Sequence, residues 1–167
     1  MGNLLFSPNG RIGPSEFTKG IMIIAVISAV ISLLPLVSMS LAMIGGLVSL
    51  ILLIPFFMLN IKRAHDAGKS GWMSLLHLLI YIILAVILSF VVGAVFAGSV
   101  DPEAVQAAAE EAAAAGDIAG VMNAAAGAAK AQAIPSAIGG LVISYIFAMV
   151  VNMINKADDH DNQYGPV

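Results

Sequence analysis

Three histidines, a run of acids and a dense basic turn hold most of the groups in this chain that could do chemistry. In KRAHDAGKSGW, residues 62–72, His65 and Asp66 are adjacent. An imidazole and a carboxylate together offer general acid–base chemistry, and the flanking Lys62, Arg63 and Lys69 would attract an anion. Further on, Asp158, Asp159, His160 and Asp161, with His65, supply oxygen and nitrogen ligands suited to a cation. Adjacent residues point in different directions, however, which argues against a common metal centre. His77 is the one ionisable group in a long apolar run; paired with Ser49 or Ser144 it would suit serine-type intramembrane proteolysis, a match in composition only. The absence of cysteine excludes disulfides, thiolate metal sites and cysteine nucleophiles. Seven Lys+Arg against ten Asp+Glu speak against a nucleic-acid partner. These residue types and spacings assign no catalytic residue, no metal site and no cofactor.

What must position these groups is a membrane. Hydrophobic residues make up 60% of the 167-residue chain and charged ones 10%, with mean hydropathy +0.99; a soluble domain has roughly 45–50% and about 25%. Residues 20–59 carry no charge. As helix they would measure about 60 Å, twice a hydrocarbon core of roughly 30 Å, so the chain must fold back once, at Pro35–Ser40 (PLVSMS). The expected architecture is a single all-α membrane domain, 1–167, a four-transmembrane-helix bundle with spans at about 20–37, 41–59, 73–97 and 136–154.

Six of the seven basic residues (Arg11, Lys19, Lys62, Arg63, Lys69 and Lys156) fall on one side of such a bundle, whereas residues 98–135 hold only Lys130 against five acids. The positive-inside rule then places both termini in the cytoplasm. The 98–135 segment is Ala-rich and reads as an extracytoplasmic helical hairpin resting on the leaflet surface. Asp101-Pro102-Glu103 starts its first helix, Gly116 breaks it and Asp117 caps the second. A partner-docking element is the alternative reading of this segment, and partial disorder a third.

Small residues mark the faces where membrane helices approach closely: Gly140, Ser144, Ala148 and Asn152 on span four, Ser89, Gly93 and Ala97 on span three, Ala42 and Gly46 on span two. No Asp, Glu, Lys or Arg lies within a span, which speaks against ion-coupled transport. The fitting reading of His77 is a neutral imidazole bonding a neighbouring helix.

Three polar motifs lie on the cytoplasmic side. Arg11 follows a glycine turn and has Glu16 as a nearby partner. In the 62–72 turn Gly68 and Gly71 permit backbone angles closed to other residues, Ser70 is placed to cap span three, and Trp72 sits at headgroup depth as an aromatic anchor. The motifs are Gly10, Arg11, Glu16 and Phe17; then Lys62, Arg63, His65, Asp66, Gly68, Lys69, Ser70, Gly71 and Trp72; then Asn162, Tyr164, Gly165 and Pro166. With them the chain resembles the bacterial domain of unknown function 805 family, small inner-membrane proteins of about four helices. It departs at Pro14 and Thr18, where the family often has an arginine and an aromatic, and in the inserted 98–135 segment. The resemblance implies a multi-pass protein of the bacterial inner membrane and no particular activity.

The expected function is structural or regulatory and not enzymatic. The three motifs form a charged collar in which Arg11, Lys62, Arg63 and Lys69 meet Glu16, Asp66 and the acidic tail. The collar either ties the helix ends together or also binds an anionic phospholipid headgroup or a protein partner. Besides the lipid bilayer, the expected partners are a second copy or another membrane protein. A small-solute transporter or pore is the alternative, and an enzyme using His65 and Asp66 at the membrane surface the remote one.

Overall fold

The computed structural model describes residues 5–96 and 101–166. Helix α1 spans Pro14–Ser32, with Pro14 in its first turn and Glu16 near its positive end. A 3-10 turn at Leu34–Leu36, opened by Pro35, reverses the chain. Ser38 then caps α2 (Met39–Ile51), its hydroxyl accepting from the Leu41 amide at 3.2 Å. The expected break at 35–40 is therefore where the chain folds back.

Helix α3 (Leu53–Asp66) continues α2 after a break at Leu52. Pro55 has no N–H to offer the preceding turn, a sufficient cause. Together the two form one membrane-length segment, Met39–Asp66. Helix therefore continues well past Leu59, and Lys62–Asp66 are helical, leaving only 67–72 as the turn. Helix α4 (Met73–Val95) follows. Ser70 does not cap it: Trp72 is its N-cap residue and no side chain bonds its first amides. Ala97 and residues 98–100 lie outside the described residues.

Helix α5 (Pro102–Ala114) starts as the sequence suggests, with Asp101 accepting from the Glu103 and Ala104 amides. Gly116 takes a left-handed φ of +70°, and Asp117 caps α6 through the Gly120 amide at 2.9 Å. Helix α6 then runs from Ile118 to Ile154, 37 residues with Pro135 inside it. Pro135 is thus no boundary, and the apolar segment starting at 136 is continuous with the second half of the Ala-rich segment. Among the described residues the protein has no strand, and four segments are long and apolar enough to cross a membrane: Pro14–Leu36, Met39–Asp66, Met73–Val95 and Ile118–Ile154.

Helix α6 packs against α1, α4 and α5, while α3 packs against α1 and α4. The dense core lies toward the end that carries the three polar motifs: Ile12, Phe17, Ile21, Phe56, Leu59, Phe147, Ala148 and Val151. Phe147 stacks on Phe56 at 5.6 Å and meets Tyr81 edge-on at 5.3 Å. Gly20 lets α1 approach α3, since a Cβ there would lie 2.6 Å from Leu59. On α6, Ala148 and Ser144 are buried as expected, but Gly139 rather than Gly140 meets α4, at Val92. Of the neighbouring Gly45 and Gly46 on α2, Gly45 makes the close contact, against Ile31 and Leu34. Large apolar side chains such as Val30, Leu47, Phe90 and Val95 face outward.

Candidate functional site

Where α3 ends, the chain forms a Schellman turn. Lys69 N–H donates to the Ala64 carbonyl (2.9 Å) and Gly68 N–H to that of His65 (3.0 Å), with Gly68 left-handed at φ +65°. This turn leaves the Asp66 carbonyl pointing outward, and two groups take it: the Asp158 amide at 2.8 Å and Arg11 Nη2 at 3.3 Å. Gly68 is required twice over, because a Cβ there would lie 2.6 Å from the Asp158 carboxylate.

Arg11 is the hub of this end. Its Nε donates to Asp66 Oδ1 (3.3 Å) and its Nη2 also to the Asp158 carbonyl (2.7 Å); Nη1 donates to the carbonyls of His160 (2.9 Å) and Gly165 (3.4 Å). One guanidinium, its side chain 5% exposed, thereby joins the N-terminal segment, the end of α3 and the C-terminal tail. Its partner is Asp66 rather than the expected Glu16, which stays exposed in the first turn of α1. Glu16 instead exerts its charge on the buried Lys62.

Arg63 is fully buried and forms the second node. Its Nη1 pairs with Asp66 Oδ2, its Nε donates to Asn152 Oδ1 at 2.8 Å, and its Nη2 donates to the Asn155 carbonyl. Lys69 Nζ donates to the Ile154 carbonyl and to Asn155 Oδ1, both at 3.0 Å. Arg63 and Lys69 therefore satisfy the last carbonyls of α6, where a helix leaves acceptors unpaired and carries partial negative charge. Asn152 ties this node to α1, its Nδ2 donating to Thr18 Oγ1 (3.0 Å) and the Pro14 carbonyl (3.2 Å).

The tail closes over both nodes. Asn162 and Gly165 exchange backbone hydrogen bonds, Asn162 Nδ2 donates to the His65 carbonyl (3.0 Å), and the Tyr164 ring lies parallel to that of His65 at 3.8 Å. His65 Nδ1 faces the Gly10 carbonyl at 3.3 Å. His77, fully buried, meets Asn155 Nδ2 through Nε2 at 2.7 Å.

Of the residues singled out in the sequence, Arg11, Arg63, His65, Asp66, Gly68, Lys69, Asn162, Tyr164 and Gly165 come together. Ser70, Trp72 (79% exposed) and Pro166 face outward, and Gly71 packs on Ile61. The expected acidic tail contributes mainly carbonyl oxygens; of its carboxylates, that of Asp158 accepts from Asn162 Nδ2 at 3.0 Å. Asn152 and Asn155 were not expected in the collar, although two amides three residues apart at the end of an apolar span were a signal. Among the described residues no group of three His, Asp or Glu side chains is arranged to hold a metal ion.

Chemically, the cluster is closed on itself. Asp66 is engaged by two guanidinium groups and the His65 ring is stacked against Tyr164. The sequence matches the family described as protein of unknown function (DUF805) over residues 5–166. No curated protein and no solved structure matches it.

Proposed function

Since the chain belongs to the DUF805 family of proteins of unknown function, we propose a role from its geometry: a non-enzymatic, structural or regulatory protein of the bacterial inner membrane, whose charged collar is a latch across the cytoplasmic helix ends. Both termini and the 67–72 turn lie in the cytoplasm, a placement supported by the six basic residues gathered at that end. The Ala-rich helices then stand on the opposite side. The observation that carries the latch is Arg11, which donates five hydrogen bonds to the end of α3 and to the tail at once. Because Arg11, Arg63 and Lys69 spend their donors inside the protein, contact with anionic phospholipid headgroups falls to the exposed Lys19 and Lys156, each contributing about 1 kcal/mol.

The pore or transporter reading has less support. Tyr145 is half exposed on the outer face, Ser49 bonds the carbonyl of Gly45 on its own helix, and aromatic rings fill the bundle beside the collar. The test is protease access to residues 156–166 in inside-out membrane vesicles. The wild-type tail should resist cleavage and the Arg11→Gln tail should be cut rapidly; equal rates would remove the latch.

A further inference from the structure

Between the aromatic cluster and the collar, two fully buried side chains each lack one hydrogen bond. Asn60 Oδ1 and His77 Nδ1 have no partner among the protein's described groups, and both residues are 0% exposed. Their helices fix where they stand. Phe56 on α3 and Tyr81 on α4 are in ring contact at 5.5 Å. Asn60 lies one turn after Phe56, and His77 one turn before Tyr81. Residues 67–72 make α3 and α4 antiparallel neighbours, so both steps lead toward the collar and into one layer.

The surrounding bonds determine which atom gives a proton and which receives one. The Lys69 ammonium can only donate, so the Asn155 atom facing it is Oδ1, and the atom turned to His77 is Nδ2. An amide nitrogen donates, so His77 Nε2 accepts; the ring is neutral and its proton sits on Nδ1. On α3, Asn60 Nδ2 donates to the Phe56 carbonyl at 2.8 Å, which leaves Oδ1 as an acceptor. The two unpaired atoms are thus complementary, a donor on His77 and an acceptor on Asn60, yet they do not bond one another.

We propose that a single buried water molecule bridges them, accepting from His77 Nδ1–H and donating to Asn60 Oδ1. The guest must accept on one side and donate on the other. A cation would be repelled by Nδ1–H and an anion by Oδ1, whereas water meets both demands and gains the two polar partners that a buried water needs. The bridge carries the collar one turn deeper, as a chain Lys69–Asn155–His77–water–Asn60 linking the 67–72 turn, the end of α6, α4 and α3.

The test is NMR of the full chain, labelled with nitrogen-15 at histidine, in phospholipid nanodiscs. The expected spectrum shows His77 protonated at Nδ1 and unprotonated at Nε2, with a cross-peak from Nδ1–H to a long-lived water. A proton on Nε2, or Nδ1–H without the water cross-peak, overturns the proposal. In Asn60→Leu, or in Asn60→Ala should the first fail to fold, the water cross-peak should disappear while Nε2 stays unprotonated. A cross-peak that persists in the folded variant removes Asn60 from the site, and the wild-type spectrum decides the water bridge without either variant.

Discussion

Arg11 holds Asp66 by two different oxygens: its Nε meets the carboxylate and its Nη2 meets the main-chain carbonyl, each at 3.3 Å. The side chain of Asp66 simultaneously pairs with Arg63, so one carboxylate is the shared counter-charge of two nearly inaccessible guanidinium groups. Removing one member of such a buried pair leaves an uncompensated charge, at a cost of about 3–5 kcal/mol.

Asp66→Asn should therefore be more damaging than Arg11→Gln, because it strands two cations, whereas loss of Arg11 leaves the carboxylate still paired with Arg63. In denaturation measured in detergent, Asp66→Asn and Arg63→Gln should be strongly non-additive, with a coupling of about 1–3 kcal/mol. Additive losses would dissolve the shared node. Arg63→Lys should recover little, since an ammonium cannot reach Asp66, Asn152 and Asn155 with one planar fork.

Gly68→Ala faces two separate penalties, the left-handed backbone and the collision with Asp158. The first costs roughly 1–2 kcal/mol for a residue with a Cβ. The expected total exceeds this, and in an Asp158→Ala background the Gly68→Ala penalty should shrink toward the backbone term alone. An unchanged penalty in that background would show that the collision is relieved without cost.

Tyr164 contributes to tail docking through its ring, which lies at an interplanar angle of 4° to His65. Tyr164→Phe should leave tail protection from protease unchanged, whereas Tyr164→Ala should raise cleavage in 156–166 severalfold. If Phe behaves like Ala, the hydroxyl and not the stacked face holds the tail.

The orientation has a direct check in a chain without cysteine. Glu110→Cys should react in intact cells with a maleimide that permeates the outer but not the inner membrane, and Gln163→Cys only after the inner membrane is opened; both sites are exposed. The reverse pattern would invert the topology. Cysteines at exposed positions of 118–131 should label with position 110, because α6 at 37 residues is about 55 Å long against a hydrocarbon core of roughly 30 Å.

What could be read from the sequence follows from what residue types encode. Charge-free length yields four apolar segments, and Pro35, Ser38, Asp101, Gly116 and Asp117 mark ends because their side chains or backbone angles act locally. The expected start of span four at 136 is not a helix end, because Pro135 lies inside α6, and neighbouring helices and local adjustments can accommodate a proline in a membrane protein. Gly139 and Gly140, or Gly45 and Gly46, differ by one residue of helical rotation, which a stripe of small residues cannot resolve.

The collar is legible in part as a set of residues, Arg11, Arg63, Asp66 and Lys69 among them, and illegible as a set of pairs. Glu16 looked like the partner of Arg11 because it is near in sequence, yet Asp66, fifty-five positions away, is the acid it meets. Arg11's other acceptors are all backbone carbonyls, at 66, 158, 160 and 165, which no residue type announces. The roles of Asn152 and Asn155 likewise depend on where the end of α6 falls beside Arg63.

The order in which a ribosome delivers these pieces gives the latch a place in the protein's biogenesis. Arg11, Arg63 and Asp66 are made early, while Asn155, Asp158, His160 and Gly165 follow only after all four apolar segments. Until then, two guanidinium groups share one carboxylate, and they and the Lys69 ammonium lack the carbonyls that complete their shells. A chain that stops short of residue 155 keeps that imbalance permanently. The acceptors that complete the buried cations are thus the last groups to arrive, so the collar can close only after all four apolar segments have been made.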